Sequence, residues 1–211
     1  MRLALFDWNG TSLNDLDLVY GSVRAIFAHY HVSPPPLEAY QAKITSNFVK
    51  FYHDHGIPES VSGDDMNSIR RQHFIKNKNT ARLNPGLVEI IETLRKNGLR
   101  TGIVSAEIAG YLQERLSEFS ITHLFDRVRD GAYNKTEAFV ETLDFFGVKA
   151  EESFYVDDTF DGITAAKNLG IKAIGFAHSR SYNSQERIAA AKPDRVITTL
   201  FEIPALVEEW K

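Results

Sequence analysis

The spacing of apolar positions changes several times along this chain, and each change marks a predicted element. The residues Leu3 to Phe6 are apolar without polar alternation, which is typical of a strand buried on both faces. Further apolar runs at 101–105, 154–156 and 171–176 predict strands of the same kind. The runs at 3–6 and 154–156 are each followed directly by aspartate, where a strand is expected to end.

Helical spacing separates these strands. The predicted amphipathic stripes are Leu87, Ile90, Ile91 and Leu94; Leu112, Leu116 and Phe119; Phe139, Leu143 and Phe146; and Ile163, Ala166 and Leu169. Asn84 and Pro85 have the types expected at an N-cap and at the first helical position, and Asn134 with Glu137 resembles a capping box. The glycines predicted to end helices are Gly98, Gly147 and Gly170.

This alternation predicts an α/β fold with a Rossmann-like parallel sheet and helices on both faces. Residues 14–81 break the rhythm, because they contain helical patterns, the interruption Pro34-Pro35-Pro36 and no convincing strand. We therefore expect an α/β core domain formed by 1–13 and 82–211. A small all-helical cap domain, 14–81, is inserted after the first strand, where it acts as a lid or as a fixed helical layer.

Composition excludes several classes of function. The chain has 211 residues and a net charge of −4, which gives no reason to expect nucleic acid or an anionic membrane as a partner. It contains no cysteine, so disulfides and zinc–thiolate sites are excluded. Because neither a signal peptide nor a membrane-spanning apolar run is evident, we expect a cytoplasmic protein.

Four polar points follow predicted strands or open a helix: Asp7, Ser105, Lys135 and the pair Asp157-Asp158. Taken singly, each is more simply a turn residue, a helix cap or a solvated side chain. Together they fall at one edge of a parallel sheet, where two carboxylates repel each other unless a cation lies between them. Oxygen ligands without histidine or cysteine favour Mg²⁺, and a hydroxyl and an ammonium could hold the oxygens of a phosphate.

The segment Asp7-Trp8-Asn9-Gly10-Thr11, followed in order by Ser105, Lys135 and Asp157-Asp158, resembles the four motifs of the haloacid dehalogenase-like hydrolases. The resemblance covers nearly the whole chain and is closest to the phosphoglycolate-phosphatase-like branch. It implies a Mg²⁺-dependent phosphatase that hydrolyses a small phosphorylated metabolite, phosphoglycolate or a similar compound, through an aspartyl-phosphate intermediate. The helical insertion lies where these enzymes carry a small cap.

The resemblance also implies residue roles. Asp7 is the nucleophile, and the catalytic set is Asp7, Asn9, Ser105 and Lys135. The implied metal ligands are the Asp7 carboxylate, the backbone carbonyl of Asn9 and the Asp158 side chain. The implied phosphate-binding residues are Trp8, Asn9, Ser105, Ala106 and Lys135.

Two positions depart from the family pattern. Phosphatases of this family usually carry a second Asp two residues after the nucleophile, where this chain has Asn9. An amide cannot transfer a proton near neutral pH, and such transfer contributes about 10²–10⁴-fold to rates. Gly162 stands where a further acid often lies, and Asp157 stands where Gly often lies, so Asp157 or Asp161 is a candidate to compensate.

The departures leave two alternatives open. Phosphonoacetaldehyde hydrolases also lack the second acid, and C–P cleavage of that kind would need a Schiff-base lysine in the cap, with Lys43 and Lys50 as candidates. A low-turnover protein that binds a phosphorylated ligand is the other alternative.

The basic run Arg70-Arg71, Lys76 and Lys78 predicts an exposed helix face. Trp8 either packs against the cap or fills the core.

Overall fold

The computed structural model describes residues 1–45 and 47–210 and centres on a six-stranded parallel sheet. Its strand order is β5-β4-β1-β6-β7-β8, and a separate antiparallel pair joins β2 to β3. The strands are β1 Leu3–Phe6, β2 Leu13–Asn14, β3 Arg82–Leu83, β4 Arg100–Val104, β5 Arg127–Arg129, β6 Ser153–Asp157, β7 Lys172–Phe176 and β8 Arg195–Ile197. Leu3 pairs with Arg100 on one side and with Ser153 on the other.

Helices cover both faces of this sheet. The helices of the described residues are α1 Leu16–His29, α2 Leu37–Lys43, α3 Phe48–Asp54, α4 Gly63–Asn77, α5 Leu87–Lys96, α6 Tyr111–Glu118, α7 Lys135–Phe146, α8 Phe160–Asn168, α9 Gln185–Ala190 and α10 Ile203–Glu209. Alternate residues of β1 enter different apolar clusters, with Ala4 and Phe6 in one and Leu3 and Leu5 in the other. Side chains on a strand alternate between faces, so β1 is buried on both, and the predicted fold class is confirmed.

Four helices, α1 to α4, lie between β2 and β3. The two short strands run antiparallel, with Leu13 opposite Leu83, and join the two ends of this helical segment. Helices α1 and α4 pack together, and Phe27 of α1 and Phe74 of α4 are buried in the same apolar cluster. The segment is therefore helical, as the sequence predicts, while its division from the core as a domain of residues 14–81 stays a prediction.

Most predicted helix ends are confirmed. The Asn134 side chain accepts a hydrogen bond from the Glu137 amide at 3.3 Å, and Gly147 ends α7 with φ of 60°. The prediction for Asn84 was wrong, because α5 begins at Leu87 with Gly86 as its N-cap residue. Asn84 instead donates from Nδ2 to the Thr11 carbonyl at 2.7 Å, so its side-chain amide holds the loop between β1 and β2.

Candidate active site

The carboxyl ends of three adjacent strands carry the predicted polar residues. Asp7 directly follows β1 and Ser105 directly follows β4. Asp157 is the last residue of β6, and Asp158 follows it. Strands β4, β1 and β6 are neighbours in the sheet, so these residues share one edge. The Asp7 amide continues the ladder by donating to the Val156 carbonyl at 2.9 Å. The predicted convergence at a single sheet edge is what the fold shows.

Lys135 lies at the centre of this edge. It is the first residue of α7, and its Nζ is 2.7 Å from Asp7 Oδ1 and 2.6 Å from Asp157 Oδ2. The same Nζ donates to the Tyr155 hydroxyl, which in turn donates to the Val104 carbonyl at 3.0 Å. Burial alone lowers the pKa of the Lys135 ammonium, but Asp157 and Asp7 outweigh burial and raise that pKa above its ordinary value. Lys135 is therefore a fixed positive charge.

Two acids of this cluster, Asp7 and Asp158, resist ionisation. Burial raises the pKa of Asp7 to about 7, with Lys135 opposing the rise and Asp157 adding to it. Burial also raises the pKa of Asp158 well above its ordinary value, and the charges of Asp157 and Asp7 raise it further. One ammonium does not balance three buried carboxyl groups. The cluster therefore favours a second cation.

The residues present fit a metal ion. One carboxylate oxygen from each of Asp7, Asp157 and Asp158 lies within 4.8 Å of the others, and all three residues are buried. These are oxygen ligands of the kind that Mg²⁺ prefers. Asp158 is further held by the Thr11 hydroxyl at 3.2 Å and by the Tyr182 amide. A magnesium site formed with Asp7, Asp158 and the Asn9 carbonyl remains a prediction that this geometry supports.

Two glycines make the close packing of acids possible. A Cβ on Gly10, whose φ is 76°, would overlap the Asp158 carboxylate. A Cβ on Gly162 would overlap Asp157 Oδ2 and lie 3.0 Å from Lys135 Nζ. The Asp157 carboxylate thus occupies the space that a side chain at position 162 would need. The two departures from the family pattern, glycine at position 162 and aspartate at position 157, are therefore sterically coupled.

Asn9 is held by two further buried acids. Its Nδ2 donates to Asp15 Oδ2 and to Glu107 Oε2, both at 2.8 Å. Asp15 also accepts from the Gly10 amide at 3.0 Å, so one carboxylate fixes both Asn9 and the turn after Asp7. Burial raises the pKa of Asp15 to about 7, against the lowering effect of the Asn9 hydrogen bond. Both amide hydrogens of Asn9 are used in this arrangement.

The other predicted phosphate-binding residues differ in position. Ser105 and Ala106 line the same cavity as Asp7, Asn9 and Lys135. Ser105 Oγ accepts from the Glu107 amide at 3.2 Å, which leaves its hydroxyl hydrogen available for another acceptor.

Trp8 has a fully buried side chain. It packs against Phe119 with ring centroids 6.4 Å apart, so it fills core. A phosphate-binding role for Trp8 stays a prediction that could involve only its backbone.

The basic residues of the helical segment lie partly elsewhere than the sequence predicts. The prediction of an exposed basic face was wrong for Arg70, whose side chain is 14% exposed, lines the cavity and faces Glu107 at 3.4 Å. Arg71 conforms to the prediction, with 42% exposure. Lys50 is exposed and pairs with Asp54 at 2.7 Å. Neither Lys50 nor Lys43 is among the described residues that line the cavity.

Three further polar residues at this site were not predicted from the sequence. Tyr155, Asp15 and Glu107 each contact a predicted catalytic residue through a side chain. A tyrosine inside an otherwise apolar buried strand is a usable signal, because a buried hydroxyl needs a partner. The two acids gave no such signal, since acidic residues shortly after a strand are ordinary turn or cap residues.

Comparison with known proteins agrees with this geometry. The family model described as haloacid dehalogenase-like hydrolase matches residues 4–176. The chain belongs to the haloacid dehalogenase-like hydrolase family. The family resemblance predicted from the four motifs is therefore confirmed.

Two curated relatives match this hydrolase over nearly their full length. A phosphoglycolate phosphatase of Mannheimia succiniciproducens is 24% identical, with 98% of each chain covered. A pyrophosphatase of Halalkalibacterium halodurans is 23% identical, covering 98% of this chain and 97% of its own. The crystal structure of a hydrolase from Pseudomonas syringae has a TM-score of 0.83 at 14% identity, with 99% of each chain covered. That likeness shows the shared fold.

No helix in the described part of the chain is both long enough and apolar enough to cross a bilayer.

Proposed function

We propose that this hydrolase is a Mg²⁺-dependent phosphatase that acts on a small phosphorylated metabolite through an aspartyl-phosphate on Asp7. The observation that carries the proposal is the Asp7 carboxylate, fixed by Lys135 at 2.7 Å and lining a cavity beside the buried acids Asp157 and Asp158. Relatives named as phosphoglycolate phosphatase and pyrophosphatase support the same reaction class. We infer that the site works in the cytoplasm on a soluble substrate.

In the first step, an Asp7 carboxylate oxygen attacks phosphorus while the bond from phosphorus to the leaving oxygen breaks. Lys135 and the Ser105 hydroxyl stabilise the negative charge that gathers on the phosphoryl oxygens. In the second step, water attacks the phosphorus, inorganic phosphate leaves and Asp7 is regenerated. Mg²⁺, when bound by Asp7, Asp158 and the Asn9 carbonyl, supplies further positive charge at the phosphoryl group.

Proton supply is the unusual feature of this site. Both Nδ2 hydrogens of Asn9 are donated to Asp15 and Glu107, so the side chain presents its carbonyl oxygen as an acceptor. That oxygen can orient a water molecule, but it cannot deliver a proton to the leaving group. Substrates whose leaving groups need little protonation, such as acyl phosphates and aryl phosphates, are therefore expected to react fastest.

The proposal is tested by phosphate release from a panel of phosphorylated metabolites, with and without Mg²⁺, for the wild type and Asp7→Asn. We expect Mg²⁺-dependent release in the wild type and none in the variant. Acid-quenched reactions should yield a phosphorylated peptide that contains Asp7. Equal release by both proteins, or by neither for any substrate including acetyl phosphate, would refute the proposal.

The C–P cleavage alternative lacks structural support, because the cavity-lining amine among the described residues is Lys135, which is already paired with Asp7 and Asp157.

A further inference from the structure

The cavity at Asp7 continues into the helical segment and changes character there. Its volume is about 110 Å³, and Asp7, Ser105 and Lys135 line the part nearest the sheet edge. The walls contributed by the helical segment come from α1, α2, α3, α4 and the residues next to them. Those walls are formed mainly by the aliphatic residues Val19, Ile26 and Ile44 and by the rings of Tyr40, Phe48 and Tyr52. We refer to this part as the cap chamber.

The positively charged side chains that line the described cavity already face acidic partners. Among the described lining residues, the cations are Lys135 and Arg70. Lys135 is paired with two acids, and Arg70 faces the buried Glu107. A leaving group with several negative charges would therefore enter an apolar chamber without a free counter-ion. Burial of unpaired charge is costly, so the chamber disfavours a second phosphate or a compact carboxylate.

Arg70 nevertheless keeps some capacity to donate. Its Nη2 is 3.4 Å from Glu107 Oε1, which is longer than a good hydrogen bond, and its Nε is buried without a partner in the described residues. The guanidinium also lies over the Phe74 ring, 4.9 Å from its centroid, which limits its movement. Because Glu107 balances its charge, a neutral acceptor suits it better than an anion.

We propose that the substrate is the phosphate ester of a phenol, with the ring in the cap chamber and an uncharged acceptor near Arg70. The inference rests on the proposed phosphatase function and narrows its substrate class. Aliphatic and aromatic walls reward the burial of apolar surface in proportion to its area. An aryl leaving group also needs little protonation, which suits a site where Asn9 replaces an acid.

Phenyl phosphate and 2-naphthyl phosphate provide the main comparison, because their leaving groups have similar acidity and differ in ring area. We expect kcat/KM to be about tenfold higher for the naphthyl ester, from the additional apolar surface that it buries. Phosphoglycolate and pyrophosphate should be poorer substrates than either ester. Phe48→Ala should lower the naphthyl-to-phenyl ratio at least threefold, whereas Phe145→Ala, which truncates an exposed ring on α7, should leave the ratio unchanged.

Arg70→Met and Arg71→Met test the acceptor, since Arg71 is the exposed neighbour on the same helix. With 6-acetyl-2-naphthyl phosphate, we expect KM to rise for Arg70→Met and to stay constant for Arg71→Met. Fluorescence titration with 2-naphthylmethylphosphonate measures ligand binding without turnover. Its affinity for the wild type should exceed that of benzylphosphonate, and Phe48→Ala should reduce that difference.

The outcomes separate the two proposals. If acetyl phosphate is hydrolysed in an Asp7-dependent reaction but the naphthyl ester shows no advantage over phenyl, the substrate class is wrong and the phosphatase function stands. If no ester is hydrolysed but the naphthyl phosphonate binds more tightly than the benzyl compound, the phosphatase function fails and the aromatic phospholigand is retained. Equal or undetectable binding of the two phosphonates overturns the chamber assignment.

Discussion

Asn9→Asp tests whether position 9 is a lost catalytic acid or an amide that the fold requires. The wild-type Nδ2 donates to Asp15 Oδ2 and to Glu107 Oε2, both at 2.8 Å. The substitution replaces this shared donor with an oxygen and brings three carboxyl groups together. Arg70 does not replace this donor, because its Nη2 lies 3.4 Å from Glu107 Oε1, whereas Asn9 donates to Oε2. The folded variant must either lose both hydrogen bonds or take up a proton to retain one.

The size of the effect follows from these two routes. At pH 8, above the pKa of about 7 to which burial raises Asp15, loss of two hydrogen bonds to carboxylate acceptors costs about 3–6 kcal/mol, at about 1.5–3 kcal/mol each. Proton uptake by an Asp with an unfolded pKa of about 3.9 costs about 1.4 kcal/mol for each pH unit above that value. The folded variant therefore binds one more proton than its unfolded chain, so its stability falls as pH rises. We expect a deficit relative to wild type of at most about 1.5 kcal/mol at pH 5, where Asp15 already carries a proton that it can donate to the new carboxylate, and of about 3–6 kcal/mol at pH 8.

Urea unfolding of both proteins at the two pH values measures this deficit, together with kcat/KM on acetyl phosphate. We expect no gain of the size that a working general acid gives, about 10²–10⁴-fold, because the new carboxyl is held by Asp15 and Glu107. Adding Glu107→Gln restores an N–H donor and should recover at least half of the lost stability. Asn14→Asp is the matched control, since Asn14 Oδ1 accepts from Arg180 Nε at 2.8 Å and a carboxylate suits that donor. Equal stability of Asn9→Asp and wild type at both pH values would refute the reasoning, and a hundredfold rise in rate would identify position 9 as a lost acid.

Three further expectations concern the acids around Lys135. Gly162→Ala should displace the Asp157 carboxylate from Lys135 and lower the unfolding free energy by about 3 kcal/mol or more, measured in urea; an unchanged value would contradict the close contact. Tyr155→Phe should cost about 1–3 kcal/mol, because the Val104 carbonyl and Lys135 lose a buried partner, and a neutral result would argue against that bridge. Mg²⁺ affinity by calorimetry should rise with pH through about 7, since the raised pKa of Asp7 lets protons compete with the metal below that value; constant affinity from pH 6 to 8 would exclude Asp7 as a ligand.

Local sequence pattern was sufficient for the main elements of the fold. The runs at 3–6 and 154–156 lie in strands of the sheet, and Gly147 ends a helix where its position predicts. Strands β5 and β8 escaped prediction because each has only three residues, so their periodicity is too short to recognise. The β2 and β3 pair has two residues in each strand and forms only when the ends of the helical segment meet.

The sequence by itself determined that Asp7, Ser105 and Asp158 gather at one edge, because parallel strands between helices bring their carboxyl ends together. Only the tertiary structure decided which groups hold them: Asn9 binds Glu107 across 98 positions, and Lys135 joins Asp7 across 128. Periodicity and capping act over a few residues, whereas these contacts depend on how whole elements pack. The same limit explains why the prediction for Arg70 was wrong. Its sequence neighbours indicate a solvated basic face, whereas in the fold it lies beside the cavity and against the buried Glu107.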